Sequence, residues 1–211
     1  MSFDALAPHY RWMESLLAGS KLQRCRTAFL DELGESRRIL LLGEGHGRFL
    51  EALAKRNVAA QVTCVDASSR MLLEAERRLR RRHPSFRVEW VHADVFAWSP
   101  PARPYDLIVT HFFLDCFTRE QLNELIRKFS SSLQAEGKWL LADFCQPANG
   151  FGRLRAGAIL WLMYRFFRFA TKLPASRLVS PDALLAANGF QLRKRLSYDW
   201  GLLHADLWCR I

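Results

Sequence analysis

At 211 residues, half of them hydrophobic, the chain is long enough for one domain with a substantial core and too apolar to stay disordered. Lysine and arginine number 31 against 21 acids, and the resulting net charge of +10 admits anionic partners without naming one. Five scattered cysteines with no Cys-x-x-Cys pair argue against a disulfide framework or structural zinc, and for reduced thiols in a cytoplasmic setting.

In chain order, residues 1–35 read as a helical N-terminal lid, with Trp12, Leu16 and Leu17, then Cys25, Phe29 and Leu30, at helical spacings. No secretory signal is read there, because Asp4, His9 and Arg11 interrupt any apolar core. Residues 39–42 form an apolar run dense enough for a buried parallel strand, ending in Gly43, Gly45 and Gly47. Glycine at such a turn permits positive φ and removes the Cβ atoms that would hold a ligand away. Phe49, Leu50 and Leu53 then mark a helix. A strand, a glycine turn and a helix are how an open α/β sheet builds a nucleotide-shaped crevice.

A second β-rich run, residues 61–66, ends in Asp66, about 20 residues beyond the glycines, where a carboxylate can accept from a ribose diol. Ser68 is an N-cap candidate for a helix that turns Met71, Leu72, Ala75 and Leu79 inward. Its basic end, residues 77–83, reads either as a solvated helix terminus offsetting the dipole or as a patch for nucleic acid or anionic lipid. The run lacks the interleaved aromatics that would stack bases, which argues against nucleic acid. A third run, residues 86–91, leads to Ala93, Asp94 and Val95, and a fourth, residues 105–110, to His111. Thr118 and Gln121 form a capping box before a helix with Leu122, Leu125, Ile126 and Phe129. A fifth run, residues 137–144, follows. Residues 145–179 break the alternation with an apolar, aromatic stretch, read as a lid insertion that walls a bulky apolar substrate or dips its surface into lipid. Its most apolar part, residues 156–163, is too short to span a bilayer. A last helix from Ser180 to Gly189 precedes two closing strands. The expected fold is a Rossmann-like three-layer α/β sandwich, a single domain over residues 1–211. Its seven-stranded sheet is mostly parallel with an antiparallel C-terminal hairpin.

These motifs together resemble the class I S-adenosylmethionine-dependent methyltransferases, from Phe3 to the C-terminus. The resemblance implies that Gly43, Gly45 and Gly47 hold the methionine part of S-adenosyl-L-methionine. It further implies that Asp66, followed by Ala67, holds the ribose hydroxyls, that Asp94, flanked by Ala93 and Val95, sits near the adenine, and that the segment through Thr110 and His111 walls the reactive methyl. Residues 3–10 are similar to the leader of the ubiquinone/menaquinone-type C-methyltransferases, where a tyrosine, here Tyr10, closes over the cofactor. Two positions depart from the family. Leu41 stands where an acid is usual two residues before the first glycine, so Glu44 is expected to face the cofactor's ammonium instead. Thr110 and His111 stand where the quinone-type enzymes tend to carry asparagine.

A sulfonium methyl donor is already electrophilic, so alignment does most of the catalytic work and no triad is needed. His111, with an ordinary pKa near neutrality, is the candidate general base, set against a role as a backbone-bonded strand-end histidine. Asp115 is set between orienting a substrate amine and capping the next helix, and Asp143 between supporting substrate and supporting only its loop. His46 flanks the cofactor. No metal ligands are expected. The expected activity is methyl transfer to an apolar or lipid-like small molecule, with contact to an anionic membrane as a further partner and no reading of oligomeric state. Two alternatives are a non-catalytic cofactor-binding module and an NAD-dependent oxidoreductase; the latter wants its third glycine at Arg48. A nucleic-acid methyltransferase would carry an Asn/Asp-Pro-Pro-Tyr/Phe segment where residues 110–113 stand.

Overall fold

The computed structural model describes residues 19–33, 36–56, 59–171, 175 and 177–211. Tyr10, Trp12, Leu16 and Leu17, and with them most of the expected N-terminal lid, lie outside the described residues.

Seven strands form one sheet: β1 (Arg38–Leu42), β2 (Gln61–Asp66), β3 (Val88–His92), β4 (Tyr105–His111), β5 (Leu133–Phe144), β6 (Phe190–Tyr198) and β7 (Leu203–Arg210). Their spatial order is β3-β2-β1-β4-β5-β7-β6. All pairings from β3 to β5 are parallel, and β7 runs antiparallel to both of its neighbours. This is the expected sheet.

The helices are α1 (Gly19–Arg26), α2 (Arg48–Arg56), α3 (Ser69–Arg82), α4 (Arg119–Ser130), α5 (Gly150–Thr171) and α6 (Asp182–Ala187). A strand projects alternate side chains to opposite faces, so β1 feeds two cores. Ile39 and Leu41 join the cluster under α1, α2, α3 and α5, whereas Leu40 and Leu42 join the one under α4 and α6. Burial on both faces explains why β1 is apolar throughout rather than alternating.

Local signals behave as read. Ser68 Oγ accepts from Met71 N. Thr118 and Gln121 exchange side-chain-to-backbone bonds in both directions. Such caps contribute about 1 kcal/mol each. The basic end of α3 is largely tied to acids: Arg78 lies 3.6 Å and Arg82 closer still to Glu51, and Arg80 lies 2.8 Å from Glu76. That pairing fits a structural helix terminus.

The chain leaves β1 toward β2 and β3, then returns to build β4 and β5 on the other side of β1. Crossovers therefore cover opposite faces, and a crevice opens at the carboxyl ends of β1 and β4, where the order reverses.

Candidate active site

The glycine turn after β1 forms one wall of this crevice. Gly43, Gly45 and Gly47 all take positive φ, at 66°, 66° and 77°. Their missing side chains serve different ends, contrary to the expectation that all three clear space for a ligand. A Cβ on Gly43 would fall 2.1 Å from the Phe113 ring, and one on Gly47 would fall 2.9 Å from Ala75 on α3. One therefore seats an aromatic ring and the other lets α3 approach the turn. Gly45 alone of the three opens onto space. Arg78 fastens the turn from behind, donating from Nε to His46 O at 2.8 Å.

Asp66 ends β2 beside Gly45. Its Oδ2 lies 3.4 Å from Gly45 N, and its Oδ1 accepts from Ser68 N at 2.8 Å. Ala67 O lies 3.1 Å from His92 Nε2, and Ala93 N donates to Asp66 O, so the tips of β2 and β3 are laced together. Asp94 is exposed and its Oδ1 accepts from Phe96 N at 2.9 Å. Val95 is buried below it, its carbonyl held by Lys128 Nζ on α4.

Two expected contacts take other tasks. Glu44 Oε1 accepts from Phe49 N at 2.9 Å and Leu50 N at 3.0 Å, so the carboxylate caps the start of α2 rather than lying free to meet an ammonium. Burial pushes its pKa up to about 7 against those two N–H bonds and the Arg26 charge. Thr110 is fully buried, and its Oγ1 accepts from Trp139 Nε1 at 2.9 Å in the core under α4. Only its backbone remains for a ligand. The alternation of β4 places Thr110 and Ile108 on that face and Leu107 and Val109 on the other.

His111 closes β4 on the face of Leu107 and Val109. It is 5% exposed, and among the described residues neither ring nitrogen has a hydrogen-bond partner. Burial, reinforced by the Arg26 charge, holds its pKa well below the ordinary histidine range, so the ring is neutral. An unpartnered buried polar group costs about 1–3 kcal/mol. A strand-end histidine bonded to the backbone would carry no such cost, so the geometry departs from that reading. The next residue, Phe112, takes φ 52°, a strained conformation for a bulky side chain at the tip of a strand.

Asp115 and Asp143 meet beyond His111. Asp115 N donates to Asp143 Oδ2 at 3.1 Å and Phe144 N to Asp143 Oδ1 at 2.8 Å, which locks the turn after β4 to the end of β5. Burial raises both carboxyls, Asp115 to about 6, and the Asp115 charge drives Asp143 higher still. Tyr164 of α5 donates to Asp115 O at 2.9 Å and lays that helix over the acceptor end.

Arg26 and Tyr164 gained no role from sequence alone. Arg26 is 7% exposed and lies 4.9 Å over the Phe112 ring, with its charge felt by both Glu44 and His111. The signal available for Arg26 was a cation one position after Cys25 on the inward stripe of α1. For Tyr164 it was a hydroxyl within an otherwise apolar run.

A family model described as a methyltransferase domain matches residues 39–137, the span holding the glycine turn, Asp66, Asp94 and His111. Nearly half of the chain thus matches a methyltransferase domain. Among curated proteins the chain is 26% identical over 151 residues to a ubiquinone/menaquinone biosynthesis C-methyltransferase of Cereibacter sphaeroides, covering 70% of this chain and 59% of that protein. It is 28% identical over 149 residues to a demethylmenaquinone methyltransferase of Chlamydia trachomatis, covering 70% and 62%. The matches thus span about three fifths of those relatives' length. In fold, the chain resembles the magnesium protoporphyrin IX methyltransferase of Synechocystis crystallised with S-adenosylhomocysteine. That likeness has a TM-score of 0.72 and 14% identity over 99% of this chain and 96% of that one.

Proposed function

We propose that the chain transfers a methyl group from S-adenosyl-L-methionine to an apolar or lipid-like small molecule, and that it does so in the cytoplasm. Supporting this reading is a buried and neutral His111, unpartnered among the described residues, at the carboxyl end of β4, across the crevice from Gly45, which opens onto space. The residues present fit the cofactor: Gly45 leaves the turn open, Asp66 ends β2, and Asp94 lies two residues beyond the end of the neighbouring β3. When bound, the cofactor supplies a methyl carbon already activated by a sulfonium.

The roles divide along the crevice. Gly43, Gly45 and Gly47 set the curvature of the turn, with Glu44 holding α2 against it. Asp66, beside Ala67, accepts from the sugar hydroxyls, and Asp94, with Ala93 and Val95, borders the base. Tyr10 closes over the cofactor, and the Thr110 backbone lines the floor. Arg26 places a positive charge suited to a carboxylate at the amino-acid end. Alignment of this kind lowers a bimolecular barrier by about 7–11 kcal/mol. His111 offers an unprotonated ring nitrogen to take the proton of the attacking group, a contribution of about 10²–10⁴-fold. Asp143, its carboxyl pushed well up by burial and by the Asp115 charge, braces the turn at the acceptor end. α5 excludes water from that end.

Incubation with radiolabelled S-adenosyl-L-methionine and fractionated cell extract should label an organic-soluble product, which mass spectrometry then identifies. Label only in aqueous, polar products would overturn the acceptor class. Calorimetry showing tight NADH binding and none of the sulfonium compound would overturn the cofactor.

A further inference from the structure

Helix α5 carries two opposite apolar faces. Inward, Ala156, Leu160, Met163 and Tyr164 are buried in the core. Outward, Phe151, Leu154, Trp161 and Leu162 are 76%, 74%, 64% and 62% exposed. At 3.6 residues per turn, positions 151, 154, 158, 161, 162 and 165 fall along one stripe. Scattered exposed hydrophobics are ordinary in a folded protein, but a continuous stripe along three turns is not. Trp200 extends it: this side chain is 79% exposed, in a turn whose backbone oxygen packs on Gly152 at the start of α5. Both Asp199 and Trp200 take positive φ, and Arg155 and Lys21 both pair with Asp199 to hold that turn in place.

The sequence that carries the stripe is cationic, and the acid beside it, Asp199, is already paired with Arg155 and Lys21. From residue 144 to residue 181 the sequence has no aspartate or glutamate, while Arg153, Arg155, Arg165, Arg168, Lys172 and Arg177 supply six cations. Arg165 lies 5.6 Å over the Trp161 ring. Among the described residues, no helix is long and apolar enough to cross a membrane.

We infer that this face seats on the surface of an anionic lipid bilayer. Its aromatic and leucine side chains enter the boundary between headgroups and acyl chains, and its arginines meet the lipid phosphates. Tryptophan suits that boundary, having an apolar ring and one N–H donor. A second copy of the chain is the poorer occupant, because two such cationic segments would be set against each other. The inner face of α5 covers the acceptor end through Tyr164, so an apolar acceptor could pass from lipid to pocket beside this helix. That last clause rests on the proposed reaction; the docking itself does not.

Vesicle flotation tests the inference. The full chain is expected to bind vesicles of equal phosphatidylcholine and phosphatidylglycerol at least about tenfold more tightly than phosphatidylcholine alone, and less tightly as salt is raised. The double variant Trp161→Ser/Leu162→Ser, and separately Arg165→Glu, should each weaken binding to the anionic vesicles about tenfold. Both alter exposed positions, so thermal unfolding and affinity for S-adenosyl-L-methionine should stay at wild-type values. Wild-type protein that floats with neither vesicle overturns the inference, as do variants that bind like wild type. A wild-type dimer that the double variant disperses, with no vesicle binding, assigns the face to a second copy. Methyl transfer that persists without vesicle binding removes the docking and leaves the reaction standing.

Discussion

The imidazole of His111 stands edge-on to the ring of Phe49, with 4.5 Å between centroids and 84° between planes. Phe49 opens α2 immediately after the glycine turn, so this contact fixes the end of β4 against the turn after β1. The two residues set the width of the crevice at the switch point, and Phe49 shields one side of a ring whose nitrogens are unpartnered.

Replacing His111 with alanine should lower kcat/KM by about 10²-fold, the usual scale for loss of a positioned base. Affinity for S-adenosyl-L-methionine should stay within about twofold, because the ring serves the acceptor. Calorimetry alongside steady-state kinetics checks both numbers, and unchanged turnover would remove His111 from the chemistry.

Asp66→Ala should produce the reverse pattern. Loss of a charge-assisted hydrogen bond to the sugar weakens cofactor binding by about 10–100-fold. Unaltered affinity in calorimetry rules that assignment out.

Glu44 should make cofactor binding depend on pH. With its pKa raised to about 7, the carboxylate gains its charge as pH climbs through neutrality, within the turn expected to receive a positively charged ligand. Affinity is expected to rise from pH 6 to pH 8 in the wild type and to stay flat in Glu44→Gln. Glutamine keeps the oxygen that accepts from Phe49 N and Leu50 N, so α2 remains capped.

Asp115 and Asp143 bind their protons more tightly folded than unfolded. Stability should therefore fall as pH rises from about 4 through about 6 and beyond, because ionisation leaves buried charge. Thermal melts should show Tm climbing as pH is lowered from 8 toward 5, and Asp143→Asn should flatten that slope. A slope unchanged in the variant would place the titration elsewhere.

The three glycines should separate by experiment. Gly47→Ala combines a left-handed backbone with contact at 2.9 Å to the Ala75 backbone, and should cost about 2–4 kcal/mol in denaturant unfolding. Gly45→Ala meets no atom, so it should cost only the backbone strain of about 1–2 kcal/mol. Its larger effect should be on cofactor affinity.

Much of this architecture was legible locally. The Thr118 capping box, the Ser68 cap, the glycine turn and the acids at and just beyond the ends of β2 and β3 are short-range patterns whose physics is complete within a few residues. Thr110 shows a signal present but unused: period-two alternation from Leu107 and Val109 assigns it to the face opposite His111. Glu44 shows a competition that sequence could pose and not resolve, since a carboxylate after a glycine can serve a ligand or the next helix's open N–H groups.

Sequence by itself determined the alternation of strand and helix, and hence a parallel sheet with a crevice where its order reverses, because hydrophobic period and turn chemistry are local properties. Tertiary structure alone decided that Arg26 of α1, His111 of β4 and Tyr164 of α5 converge on that crevice. Those side chains lie 85 and 53 residues apart along the chain, and no local propensity encodes such a meeting; it follows from which faces the helices bury against the completed sheet.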